Sequence, residues 1–106
     1  MILGIDIGGT KCAVIKAKAD GENIELLDKR KIPTRLDITP EEMIESLISL
    51  ADEMLDGETA EKIGVSCGGP LNSVTGTIEG PPNLPGWDNV RITDILEKNY
   101  KAPAKL

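Results

Sequence analysis

From Gly68 to Asp88 the sequence reads GGPLNSVTGTIEGPPNLPGWD. Glycine and proline at this density leave the backbone too free in some places and too fixed, and short of donors, in others for a helix or a central strand. The stretch is a loop with room for a small hairpin, and it divides the regular structure in two. Before it, Ile2, Leu3, Ile5 and Ile7 predict a strand that is apolar at nearly every position, as a central strand covered on both faces would be. Residues 12–18, CAVIKAK, and 24–32, IELLDKRKI, flank Ala19-Asp20-Gly21-Glu22, whose Asp-Gly pair is a turn signal, so the chain starts as an antiparallel meander. Thr39-Pro40-Glu41-Glu42 then supplies an N-cap, a proline at the first helical position and a glutamate three residues after the cap. The spacing of Met43, Ile44, Leu47, Ile48, Leu50, Ala51, Met54 and Leu55 predicts a helix over 40–55, with Gly57 at its exit. Residues 62–67, KIGVSC, read as another buried strand.

After the loop, Ile92, Ile95, Leu96 and Tyr100 predict a helix over 92–100, with Thr93 or Asn89 as its cap and Ala102-Pro103 as its stop. Ala104-Lys105-Leu106 then reads as the opening of a further strand that the sequence does not finish. The expectation is a single α/β domain over residues 1–106. Its five-stranded mixed sheet joins three antiparallel strands to two parallel ones, with helix 40–55 on one face and the last strand truncated.

Composition excludes several functions. Twelve basic residues against eighteen acidic ones give a net charge of −6, and the basic residues are scattered, so neither nucleic acid nor an anionic membrane is an expected partner. No apolar run approaches the ~20 residues that a membrane span needs. Two cysteines, Cys12 and Cys67, without a signal-peptide pattern point to packed thiols in a reducing, cytoplasmic setting. There is no histidine, so chemistry here rests on carboxylates, backbone dipoles or groups from another segment. Gly64-Val65-Ser66-Cys67-Gly68 fits the G-x-S-x-G pattern of serine hydrolases, but with no histidine to act as base the pattern is a coincidence of strand-end residues.

Residues 4–11, GIDIGGTK, carry the chemistry. Without Cβ atoms, Gly8 and Gly9 let backbone N–H groups approach phosphate oxygens, and the Thr10 hydroxyl adds a donor. Lys11 either adds a cationic contact or faces solvent. Asp6 either caps the turn or orients a hydrated divalent cation, since a bare carboxylate repels phosphate unless a cation lies between them. In the later loop, the Asn83 amide has the donor and acceptor that a sugar hydroxyl demands, the alternative being a turn residue held between prolines. Trp87 reads as the anchor of that loop, and Gly68 and Gly69 as positions where a sugar approaches backbone.

Asp6-Ile7-Gly8-Gly9-Thr10-Lys11 resembles the first phosphate motif of the ribonuclease-H-like (actin-like ATPase) half-domain of sugar kinases, actin and Hsp70 chaperones, and its GGTK form resembles the ROK group. Gly68-Gly69-Pro70 with Pro82-Asn83-Leu84-Pro85-Gly86-Trp87 resembles that group's sugar-binding loop. The resemblance covers the whole chain. It implies a glucokinase-like enzyme that uses ATP and Mg²⁺ to phosphorylate a hexose hydroxyl, with Asp6, Gly8, Gly9, Thr10 and Lys11 toward phosphate and Mg²⁺, and Gly68, Gly69 and Asn83 toward sugar. Asp6 would reach the metal through water. It further implies that the catalytic aspartate, a zinc-binding segment, the second phosphate loop and the adenosine region lie beyond Leu106, so that this chain alone is inactive, and that the full-length parent is a homo-oligomer. The alternative is a ROK transcriptional regulator that binds sugar without phosphorylating it. Such regulators carry a helix-turn-helix ahead of the kinase-like part, and here the phosphate motif begins at Gly4.

Overall fold

In the computed structural model, which describes residues 1–106, the strands β1 (Ile2–Ile7), β2 (Lys11–Asp20) and β3 (Asn23–Pro33) form the expected antiparallel meander. The helix α1 (Pro40–Leu55) leads to β4 (Lys62–Cys67), which pairs parallel to β1. The hairpin β5 (Leu71–Asn72) and β6 (Thr77–Ile78) stands apart as a second, two-stranded sheet. The helix α2 (Ile92–Tyr100) is followed by β7 (Ala104–Lys105), parallel to β4. The main sheet has the order β3-β2-β1-β4-β7, three antiparallel strands adjoining two parallel ones.

Local chemistry sets the element ends. The Thr39 hydroxyl accepts from the Glu42 N–H while the Glu42 carboxylate accepts from the Thr39 N–H, a complete capping box with Pro40 at the first helical position. Those bonds to Thr39 hold the Glu42 carboxyl below its ordinary value. At the other end, Asp56 itself adopts the left-handed conformation (φ 48°), with Gly57 following. The β2–β3 turn is Gly21-Glu22 rather than Asp20-Gly21, because Asp20 pairs with Asn23 as the last rung and Gly21 supplies the positive φ.

Two expectations are corrected. Neither Thr93 nor Asn89 caps α2: Arg91 occupies the N-cap without a side-chain bond, and Thr93 is buried with its N–H and hydroxyl turned toward the Gly76 carbonyl. Asn89 takes a left-handed conformation before the helix begins. Nor is β1 covered on both faces: Leu3, Ile5 and Ile7 are buried, while Ile2 and Gly4 are half-covered and Asp6 is exposed. The reason lies in topology. The β3-α1-β4 and β4-α2-β7 crossovers join parallel strands and step the same way across the sheet, so right-handed connections place both helices on one side. There α1 contributes Met43, Ile44, Leu47, Ala51, Met54 and Leu55 to a core shared with Val14, Ile63, Val65, Ile92 and Leu96. On the same side the Tyr100 hydroxyl donates to Asp52 Oδ1 at 2.8 Å, joining α2 to α1.

Candidate functional site

Two turns leave the carboxyl ends of adjacent parallel strands. In the β1/β4 register Asp6 lies level with Ser66 and Ile7 with Cys67, so Gly8-Gly9 and Gly68-Gly69 both begin just past the same sheet edge. In open α/β sheets that edge is where ligands bind.

The first turn is tightly specified. The Gly8 N–H donates to the Lys11 carbonyl at 3.1 Å, and the Thr34 N–H donates to the Thr10 carbonyl at 2.9 Å. The Thr34 hydroxyl donates to the Gly8 carbonyl at 2.7 Å. The N–H groups of Gly9 and Thr10 have no acceptor within the chain. Neither glycine is required by its dihedrals, since neither has a positive φ; both are required by space. A Cβ at Gly8 would lie 2.7 Å from the Lys11 carbonyl oxygen, and one at Gly9 would lie 2.5 Å from the Asn83 carbonyl oxygen and 2.9 Å from Asn83 Cβ. The β1–β2 turn and the proline-rich loop are thus in direct contact.

That loop is built from three consecutive backbone bonds. The Leu84 N–H donates to the Pro81 carbonyl, the Trp87 N–H to the Leu84 carbonyl, and the Gly80 N–H to the Trp87 carbonyl. Pro81, Leu84 and Trp87 are buried, so one side of the loop is nailed to the core and Asn83 is held outward between the anchors. The expectation that Trp87 anchors the loop is borne out: it is 1% exposed. The Asn83 amide makes no hydrogen bond within the chain and is free for a ligand. Gly68 and Gly69 are exposed, and a Cβ at Gly68 would meet nothing within 4 Å, so no protein neighbour dictates glycine there.

Asp6 is exposed on the uncovered sheet face, and its Oδ1 accepts a 2.7 Å hydrogen bond from the Ser66 hydroxyl. Ser66 is therefore no nucleophile at a strained elbow but a strand residue that orients a carboxylate. Lys11 is exposed and takes part in no ion pair. Cys12 is buried and Cys67 half-buried, both free thiols; burial, then Cys12, then Asp6 push the Cys67 thiol up, away from a reactive thiolate.

Sequence reads Ser66 only as a strand-end residue inside a coincidental G-x-S-x-G pattern, and does not single out Thr34. Ser66 had a signal: Asp6-Ile7-Gly8-Gly9 and Ser66-Cys67-Gly68-Gly69 share the order polar, apolar, Gly, Gly, as two parallel strands ending level would. Thr34 had none, because its role depends on the register of β2 against β3.

The unpartnered N–H groups fit a phosphate, and a carboxylate with one oxygen held by Ser66 and the other without a partner fits the water shell of a divalent cation. No cluster of three His, Cys, Asp or Glu side chains is present, so Asp6 would act singly. No helix is long and apolar enough to cross a membrane.

The ROK family model matches residues 2–106. Among curated relatives, a glucokinase from Thermotoga maritima is 32% identical over 92% of this chain and 30% of its own length. An N-acetylmannosamine kinase from Escherichia coli is 35% identical over 90% of this chain and 31% of its own. A ROK family glucokinase from Streptomyces griseus, solved with glucose and AMPPNP, superposes with a TM-score of 0.78 at 25% identity, covering 99% of this chain and 32% of that one. A ROK family transcriptional regulator, homologous to E. coli MLC, is alike in fold, with a TM-score of 0.76 at 16% identity over 98% of this chain and 26% of that one. The chain thus spans about a third of the length of the kinases it matches.

Proposed function

The chain belongs to the ROK family, and on that premise we propose that it is the N-terminal half-domain of a sugar kinase that transfers the γ-phosphoryl group of ATP to a hexose hydroxyl. One observation carries the reading: the backbone of Gly9 packs directly against Asn83, so the phosphate-binding turn and the sugar-facing amide are parts of one site. Phosphoryl transfer needs donor and acceptor held within a few ångströms, and a shared backbone contact fixes that spacing better than two independent loops.

In this reading the Gly9 and Thr10 N–H groups bind phosphate oxygens, with the exposed Lys11 close by in sequence. Asp6, held by Ser66, orients water around Mg²⁺. The Asn83 amide pairs with a sugar hydroxyl, and the open space at Gly68, beside the exposed Gly69, admits the ring. When bound, Mg·ATP supplies the phosphoryl group and the charge that offsets its repulsion from Asp6. The acceptor of the hydroxyl proton, an aspartate in the family resemblance, belongs to the part of the kinase that this chain does not span. The glucokinase and N-acetylmannosamine kinase described above are more than 30% identical to this chain and the regulator 16%, which favours a kinase over a sugar-sensing regulator.

The test is hexose-dependent ADP release by the full-length protein carrying this chain, with glucose and N-acetylmannosamine assayed in parallel. Turnover with one of them is expected. Sugar binding with no ADP release from either would overturn the kinase reading in favour of the regulator.

A further inference from the structure

Thr34 is the first residue after β3, and nothing in its local sequence marks it as functional. Yet it touches the β1–β2 turn twice and the start of β2 once. Its N–H donates to the Thr10 carbonyl at 2.9 Å, its hydroxyl donates to the Gly8 carbonyl at 2.7 Å, and Cys12 Sγ lies 3.2 Å from that hydroxyl. With the hydroxyl proton on Gly8, the Cys12 thiol faces two acceptors, the Thr34 oxygen at 3.2 Å and the Gly8 carbonyl oxygen at 3.9 Å. With the Gly8 N–H bonded to Lys11, the turn's outward dipoles are then sorted. The carbonyls of Gly8 and Thr10 are both taken by Thr34, and the N–H groups left without acceptors are those of Gly9 and Thr10. A phosphate meeting this turn faces donors, with two of the carbonyls that would repel it tied off.

Resting on the kinase reading, we propose that Thr34 is a positioning residue for phosphate: it acts through Gly8 and Thr10, holding the turn in the one arrangement that frees the Gly9 and Thr10 N–H groups. A γ-hydroxyl is needed and a γ-methyl is not, so Thr34→Ser preserves the role and the nearly isosteric Thr34→Val removes it. Thr34→Val removes the 2.7 Å hydrogen bond to the Gly8 carbonyl and leaves that oxygen only the long, weak 3.9 Å contact with the Cys12 thiol. A lost hydrogen bond of ordinary strength corresponds to a fall of about fivefold in affinity.

Two readouts test this. In the 106-residue chain, amide resonances of Gly9 and Thr10 are followed by NMR while inorganic pyrophosphate is titrated. Wild type and Thr34→Ser are expected to show the same saturable shifts at those two amides, and Thr34→Val a dissociation constant about fivefold or more higher, with the rest of the spectrum unchanged. In the full-length protein, Thr34→Val is expected to raise the KM for Mg·ATP by a similar factor and that for hexose by less than about twofold. Equal pyrophosphate affinity in Thr34→Val and wild type overturns the proposal, as does equal impairment of Thr34→Ser and Thr34→Val. So does an absence of any shift at Gly9 and Thr10 in wild type. Pyrophosphate binding that depends on the Thr34 hydroxyl, in a full-length protein without hexose turnover, upholds the proposal and removes the kinase reading. Hexose turnover without pyrophosphate shifts does the reverse.

Discussion

At the scale of single residues, space rather than conformation selects the glycines of the first turn. Gly9 has an ordinary φ that any residue could adopt, but a methyl group there would sit 2.5 Å from the Asn83 carbonyl oxygen, and backbone on both sides leaves no flexible side chain to yield. Gly9→Ala is therefore expected to cost roughly 1–3 kcal/mol, the usual range for forcing extra volume into a packed contact, as read from urea denaturation of the 106-residue chain. A destabilisation below the measurement error would show that the two loops are not locked together. The residues that sequence singles out are those whose signal is local, Asp6 before a glycine pair, Asn83 among prolines and Trp87 as an anchor, and of these the burial of Trp87 is borne out. The part Ser66 and Thr34 play is not legible there because it lies in what a neighbouring strand brings to them, the one through parallel register with Asp6 and the other through the turn that opens the adjacent β2.

At the scale of elements, strong periodicity and explicit end signals made the sequence readable. The helix over 40–55 is found with the bounds that its capping box and apolar stripe specify, and the strand over 62–67 and the helix over 92–100 match as closely. The cap readings that failed concern Thr93, whose side chain is taken by the tertiary contact with Gly76, and Asn89, which takes a left-handed conformation before the helix begins. The α1–α2 junction illustrates such a contact. Tyr100 donates to Asp52 and also to the Ile48 carbonyl, so Tyr100→Phe is expected to destabilise the chain by about 1 kcal/mol near neutral pH. Burial first, then the hydrogen bond and charge of Asp52, push the Tyr100 phenol well above its ordinary value. The folded state thus holds the proton more tightly than the unfolded one. This contribution is complete below about pH 10, the unfolded value, and is lost as pH rises beyond it. Chemical denaturation from pH 7 to 11 should find the gap between wild type and Tyr100→Phe constant up to about pH 10 and narrowing above it. A gap that widens with pH contradicts the assignment.

At the scale of the molecule, the sheet order and the one-sided placement of the helices follow from two right-handed crossovers running the same way, and this is what leaves Asp6 and Ser66 on an uncovered face beside the β1–β2 turn. The sequence pattern of β1 pointed to cover on both faces because it records how apolar a strand is and not which side its neighbours occupy. The central claim is that this face and edge hold one site with two jobs, Asp6 serving the transferred phosphoryl group and Asn83 the sugar. The direct measurement is steady-state kinetics, with sugar titration, of Asp6→Ala and Asn83→Ala in the full-length protein. Asp6→Ala should lower kcat far more than it changes sugar affinity, because its electrostatic contribution is largest in the transition state. Asn83→Ala should weaken sugar binding by roughly 1–3 kcal/mol, the range for a hydrogen-bonding partner left unpaired. An equal loss of sugar affinity in both variants would contradict the division of labour and reduce both residues to supports of the fold.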